Sequence, residues 1–103
     1  MKKVYSMIGF AQKAGKISSG ASAARTSILR RKACLLIMSN DISDNSKESL
    51  VKSCEKKKIP WITVGSKYEL GTCVGKAYRV AVSINDSGMA GTIIGIISKQ
   101  EKR

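Results

Sequence analysis

Apolar residues recur along the chain at alternating spacings that predict strands interleaved with helices. Val4, Met7, Ile8, Ala11 and Ala14 lie on one helical stripe, which Gly15 ends. Lys16–Ser18 reads as a short edge strand. From Gly20 to about Lys32, Ala21, Ala24 and Ile28 form a second helical stripe with Arg25 and Arg31 off it. Cys34–Met38 is an unbroken apolar run of strand length, as expected of a strand covered on both faces. Asn45 followed by Glu48 reads as a helix start, with Leu50, Val51 and Cys54 facing inward as far as Lys58. Ile59–Val64, with the only proline near its start, reads as the next buried strand. Ser66 and Glu69 have the spacing of a capping box, in which each side chain satisfies the other residue's free N–H. That box opens a short helix through Leu70 and Val74 to Gly75. Arg79–Ile84 reads as another strand, and Asp86 or Ser87 caps a last helix carrying Met89, Ile93, Ile94 and Ile97.

Strands that alternate with helices along the whole chain predict an α/β fold, a three-layer α/β/α sandwich around a central mixed four-stranded sheet. At 103 residues the chain fits one domain, residues 1–103, with no linker or internal repeat and with Lys99–Arg103 as a loose tail.

Charge sharpens this picture. The formal net charge is +12, an excess that costs self-repulsion and suits an anionic partner, nucleic acid before an acidic membrane surface. The first forty residues hold eight basic side chains, and Asp41 is the first carboxylate. Cys34, Cys54 and Cys73 are widely spaced and odd in number, which fits neither a zinc site nor a disulfide framework. No apolar run is long enough to cross a bilayer, and Lys2-Lys3 is not followed by the apolar stretch of a signal peptide. These features point to the cytoplasm, with no metal and no cofactor.

The candidate chemical motifs mostly reduce to structure. Gly15-Lys16 and Gly75-Lys76 fail as phosphate-binding loops, because both the glycine spacing and the Ser or Thr after the lysine are wrong. Gly71-x-x-x-Gly75 and Gly91-x-x-x-Gly95 read as smooth helix faces against which another backbone packs. With no histidine, a cysteine or serine nucleophile lacks its usual base, so an enzyme working through Cys73 or another thiol ranks last. Lys56-Lys57-Lys58 reads as a solvated helix end, and Trp61 as a core residue of its strand.

What remains is the turn Gly15–Gly20 and the helix it opens. First-turn N–H groups beside small residues let a surface come close, Ser18, Ser19 and Ser22 add hydroxyls, and Lys16 and Arg25 add charge. That combination can grip a phosphate backbone or exposed base edges. On this reading Gly20→Leu weakens RNA binding and leaves the melting temperature nearly unchanged.

Ala11-Gln12-Lys13-Ala14-Gly15-Lys16, Ser19-Gly20, Lys32-Ala33 leading into Leu35–Met38, Ile59-Pro60, Leu70-Gly71, Gly75-Lys76 and Arg79-Val80-Ala81-Val82 together resemble the ribosomal protein L7Ae family of kink-turn RNA-binding proteins, most of all its small bacterial members. The resemblance implies a three-layer fold and binding to a sharply bent RNA with paired G·A mismatches. It also implies contacts from three places, here Ser18–Thr26, Asn40–Ile42 and about Ala77–Val82. The family pattern places Asn, Glu and Lys where this chain has Ser22, Ala23 and Thr26, while Gly20 matches.

The expected function is therefore that of a non-enzymatic, ribosomal-protein-like RNA-binding protein, part of a ribonucleoprotein or close to translation. The expected contacts are Lys16, Ser18, Ser19, Gly20, Ser22, Arg25 and Thr26; Arg31 and Lys32; Asn40, Asp41 and Ile42; and Lys76, Arg79, Val80 and Ala81. The partner is structured RNA, ribosomal or regulatory, with no membrane and no small-molecule substrate, and the chain acts as a monomer. The alternative is a ribosome-associated protein-interaction or assembly module whose charge gives only non-specific RNA affinity.

Overall fold

The computed structural model describes residues 2–101, and among these the chain forms five helices and four strands. In chain order they are α1 (Lys2–Lys13), β1 (Ile17–Ser19), α2 (Ala21–Leu29), β2 (Leu35–Met38), α3 (Asp44–Lys57), β3 (Trp61–Thr63), α4 (Lys67–Cys73), β4 (Ala81–Ile84) and α5 (Ser87–Glu101). The strands form one sheet in the order β1-β4-β2-β3. The sheet is mixed, because β2 pairs parallel with β3 and antiparallel with β4, which also pairs antiparallel with β1.

Side-chain alternation divides the core between the two faces of this sheet. Leu35, Ile37, Val82 and Ile84 pack with Val4, Ile8, Leu70 and Ile93 from α1, α4 and α5. Leu36, Met38 and Ala81 pack with Ala24, Ile28, Leu50 and Cys54 from α2 and α3. The result is the expected three-layer sandwich. Burial of Cys54 pushes its thiol up to about 11, so this cysteine serves the core as a neutral side chain at neutral pH.

The central strands β2 and β4 are buried at every position, as the apolar run at Cys34–Met38 implies for β2. The run at Ile59–Val64 differs. Only Trp61–Thr63 is strand, and it lies at the sheet edge, with Trp61 38% exposed beneath the Lys47 ammonium at 5.6 Å. Trp61 is therefore a rim residue, not a core one. Helix α3 starts at Asp44, one residue before Asn45, with Ser43 as its cap accepting from the Ser46 N–H at 3.3 Å. Strand β4 begins at Ala81, which leaves Arg79 and Val80 in the loop before it. The tail expected from Lys99 is helical over residues 99–101, and residues 102 and 103 lie outside the described ones.

The glycine pairs separate into different roles. Gly71 is buried, and a Cβ there would stand 2.5 Å from the Cα of Tyr78. Gly75 has φ +72 and reverses the chain after α4 instead of packing. Gly91 and Gly95 face open space, so the expected packing partner for that helix face is missing among the described residues.

Candidate nucleic-acid interface

Strand register brings three loops distant in sequence to one end of the sheet. Ser19 at the end of β1 lies opposite Val82, and Met38 at the end of β2 lies opposite Ala81. The Gly20 N–H donates to Ala81 O at 2.9 Å, and the Ser39 N–H to Val80 O at 2.9 Å. The start of α2, the loop after β2 and the loop before β4 therefore converge there, as the resemblance implies.

The start of α2 is the distinctive part of this end. Helices α3 and α4 are capped by Ser43 and Ser66, and Asp86 Oδ2 accepts from the Met89 N–H at the start of α5. Gly20 caps α2 with no side chain, so the N–H groups of the first turn, at Ala21, Ser22 and Ala23, carry no side-chain partner. No acidic residue offsets the positive end of the helix dipole. Gly20 has φ +100 and ψ 156, a region essentially reserved for glycine. A side chain there strains the backbone by about 1–3 kcal/mol, which corrects the expectation that Gly20→Leu leaves stability unchanged.

Ser19, Gly20, Ala21, Ser22 and Ala23 form one wall of an open groove, and Tyr78, Arg79 and Val80 form the other. Arg79 Nε donates to Ser19 Oγ at 2.9 Å, and another of its nitrogens donates to Tyr78 O at 2.8 Å. These bonds lay the guanidinium across Gly20, where a Cβ would sit 3.8 Å from Arg79 Nε. The backbone of the loop is itself anchored, since the Arg79 N–H donates to Lys67 O and Gly71 admits Tyr78 against α4. Tyr78 meets Tyr68 edge to face with centroids 6.5 Å apart, and the Lys67 ammonium lies over both rings at 5.4 and 5.5 Å. Both tyrosines are exposed, 60% at Tyr68 and 54% at Tyr78, beside the groove that Arg79 lines.

Of the residues expected at the site, Ser19, Gly20, Ser22, Arg79 and Val80 line the groove. Thr26 is exposed one turn beyond Ser22, and Asn40 is exposed in the adjoining loop. Others are used within the fold. Ser18 Oγ shares a hydrogen bond with Ser27 Oγ and accepts from Asn85 Nδ2 at 2.9 Å, which ties β1 to α2 and to the residue that follows β4. Arg25 reaches across to Ser49 Oγ on α3 at 2.8 Å. Asp41 Oδ1 accepts from the Lys67 N–H at 3.0 Å and fastens this loop to α4. The Ser39 hydroxyl and that N–H hold the Asp41 carboxyl below its ordinary range. The side chains of Ile42 and Ala81 are buried against α2 and α3 and serve the core, which leaves only their backbone for a contact. Lys16 sits at the opposite end of β1, and Arg31 and Lys32 follow the far end of α2, about 13 Å of helix from Gly20. Lys76 is exposed in the turn after α4.

The aromatic pair is the feature that pattern reading missed. An isolated tyrosine has no period, and only the fold brings Tyr68 beside Tyr78. No group of three or more His, Cys, Asp or Glu side chains suited to a metal ion occurs among the described residues. None of their helices is long and apolar enough to cross a membrane.

Comparison with known proteins places the chain among relatives of this architecture. The sequence model of the ribosomal protein L7Ae/L30e/S12e/Gadd45 family matches residues 2–93. The RNA-binding protein YlxQ of Bacillus subtilis is 30% identical over 93 residues, covering 90% of this chain and 93% of that protein. The large ribosomal subunit protein eL8 of Thermoplasma volcanium is 33% identical over 88 residues, covering 84% and 73% respectively. Among solved structures, a protein of unknown function from Bacillus halodurans superposes with a TM-score of 0.90 at 26% identity, over 95% of this chain and 99% of that one. The Giardia lamblia 15.5kD RNA binding protein gives a TM-score of 0.79 at 25% identity, over 92% and 84%.

Proposed function

This chain belongs to the ribosomal protein L7Ae/L30e/S12e/Gadd45 family, and we propose on that basis that it is a non-enzymatic protein that binds structured RNA of the kink-turn type. RNA enters the groove between the start of α2 and the Tyr78–Val80 loop. The observation that carries this reading is the uncapped first turn of α2, held open under Arg79 and free of acidic side chains. A phosphate or a base-edge acceptor supplies the oxygen that the N–H groups of Ala21–Ala23 lack, and Arg79 supplies the counter-charge. The names of the YlxQ and eL8 relatives and of the Giardia protein support RNA as the ligand. The protein works as one soluble domain in the cytoplasm, as a monomer at or near the ribosome.

Selection among RNAs rests on what replaces the usual Asn, Glu and Lys. Ser22, Ala23 and Thr26 lie on the exposed side of α2, but they offer only hydroxyls and a methyl group to base edges. Recognition then shifts toward backbone N–H groups, phosphates and the shape of the bend. Stacking on the exposed Tyr78 ring adds to affinity without choosing a base.

Titration of the full chain against a kink-turn RNA, an unkinked hairpin and duplex DNA at several salt concentrations tests this reading. The kink-turn RNA binds most tightly, and log affinity for it falls with log salt by roughly one unit per phosphate contacted. Equal weak affinity for all three removes kink-turn selection and leaves charge alone, as in a protein-interaction module with incidental RNA affinity. Absence of binding at low salt removes the RNA reading itself.

A further inference from the structure

The opposite helix layer carries a second feature that RNA binding does not use. Helices α1 and α5 pack side by side on the sheet face away from α2 and α3. Between them runs a groove walled by Met7 and Phe10 from α1 and by Thr92 and Ile96 from α5, with Lys2 and Lys3 on its rim. Its lining is almost wholly apolar, and Phe10 projects into solvent at 64% exposure. Phe10, Met7 and Ile96 together make an apolar patch with a polar rim, the kind of surface that marks an interaction site.

The outer side of α5 continues this surface. Gly91 and Gly95 would each accept a Cβ with no atom within 4 Å, and their backbone angles are ordinary, so neither glycine is required by the fold of this chain. Glycine inside a helix costs about 1 kcal/mol relative to alanine, which makes a repeated, structurally unneeded pair a stability loss. Such a pair lets another helix approach closely.

Charge selects the occupant. Helix α1 has no acidic residue, and the only one in α5 is Glu101 at its end. Asp86, just before α5, is engaged by the Met89 N–H. Lys2 and Lys3 make the edge of the groove cationic beside its apolar floor, and the last turns of α1 and α5 carry Lys13 and Lys99. A second copy of this chain would bring the same positive charge against it. Phosphates would find the lysines but not the apolar floor.

The geometry points to the α1–α5 groove as a docking site for an acidic amphipathic helix of a protein partner, occupied at the same time as the RNA groove. The partner's apolar face covers Phe10 and Ile96, its small residues pass over Gly91 and Gly95, and its carboxylates meet Lys2 and Lys3. The protein would thereby join an RNA to an acidic protein.

The test is a shift-mapping titration of the full chain with two synthetic helical peptides. Both have a leucine and alanine face; one carries glutamate on its polar face and the other lysine. The glutamate peptide is expected to bind about tenfold or more tightly than the lysine peptide. It should shift Met7, Phe10, Thr92 and Ile96, with saturating kink-turn RNA leaving that binding unchanged. Phe10→Ser and Gly95→Glu, both at exposed positions, should each keep the melting temperature within a few degrees and weaken the peptide about fivefold or more. Equal binding of both peptides, no binding, or shifts centred on Ser19–Ala23 would overturn the proposal. So would movement of Phe10 and Thr92 on adding RNA alone, or self-association through this face in sedimentation.

Discussion

Gly71→Ala is expected to destabilise the protein by about 3 kcal/mol, the upper part of the range for forcing an extra group into a packed core. The added Cβ would stand 2.5, 2.7 and 2.8 Å from the Cα, N and C of Tyr78. These are backbone atoms, so no side-chain rotation relieves the overlap. The loop is also fixed by the Arg79 N–H to Lys67 O bond and the Lys76 N–H to Gly71 O bond, both 2.9 Å, so it has little room to retreat. For a chain of this length the loss lowers the melting temperature by roughly 15 °C, which a thermal unfolding scan measures directly. The same variant displaces Tyr78 and Arg79 from the groove. Its RNA affinity should therefore fall even at temperatures where it is fully folded. An unchanged melting temperature would mean that α4 and the loop before β4 are not in contact at Gly71.

Arg79→Glu is expected to weaken RNA binding about a hundredfold, which corresponds to roughly 2.7 kcal/mol and suits a charged hydrogen bond replaced by repulsion. Stability should fall by only about 1 kcal/mol, the net worth of its bond to Ser19 Oγ. The matched comparison is Lys56→Glu with Lys57→Glu, which removes more positive charge. Those residues end α3, a helix of 14 residues that begins beside the Asn40–Ile42 loop and runs about 20 Å away from it. The double variant should weaken binding only a few-fold while lowering non-specific affinity for duplex DNA. If the two variants weaken RNA binding equally, net charge governs the interaction and the groove does not.

Much of this arrangement was legible in the residue order. The alternation of apolar runs with helical stripes predicts the sandwich, and the Ser66 and Glu69 spacing predicts a capping box whose two bonds form at 3.1 and 2.8 Å. The acid-free run before Asp41 and the small residues near Gly20 single out the start of α2, whose first turn has no side-chain cap and no acidic residue. The remainder depended on three-dimensional neighbours. Ile59–Val64 has the composition of a buried strand, but only sheet order decides that β3 is an edge with Trp61 at the rim. Gly91 and Gly95 carry the spacing of a packed face, yet nothing in their order says whether the partner is in the same chain.

The site residues divide in the same way. Ile42 and Ala81 lie in the expected loops, but strand register and the turn after β2 bury their side chains. Asp41 and Ser18 carry the right chemistry for RNA, but each is held by bonds within the fold. Tyr78 lies within the stretch mapped to the third loop, but its significance depends on Tyr68 and Lys67, which precede it by a helix. Gly20 stands at the start of α2, where the small residues around it predict a helix to open. Its positive φ adds that the residue holds the backbone as well as leaving room for a ligand.

Backbone shift mapping of the full chain with a kink-turn RNA at low salt tests the central claim most directly. Perturbations should concentrate at Ser19–Ala23, Asn40 and Tyr78–Val80, with the Arg79→Glu variant losing them together. Perturbations centred on Lys56–Lys58 or spread evenly over the lysines, or none at all, would contradict an RNA groove at the start of α2.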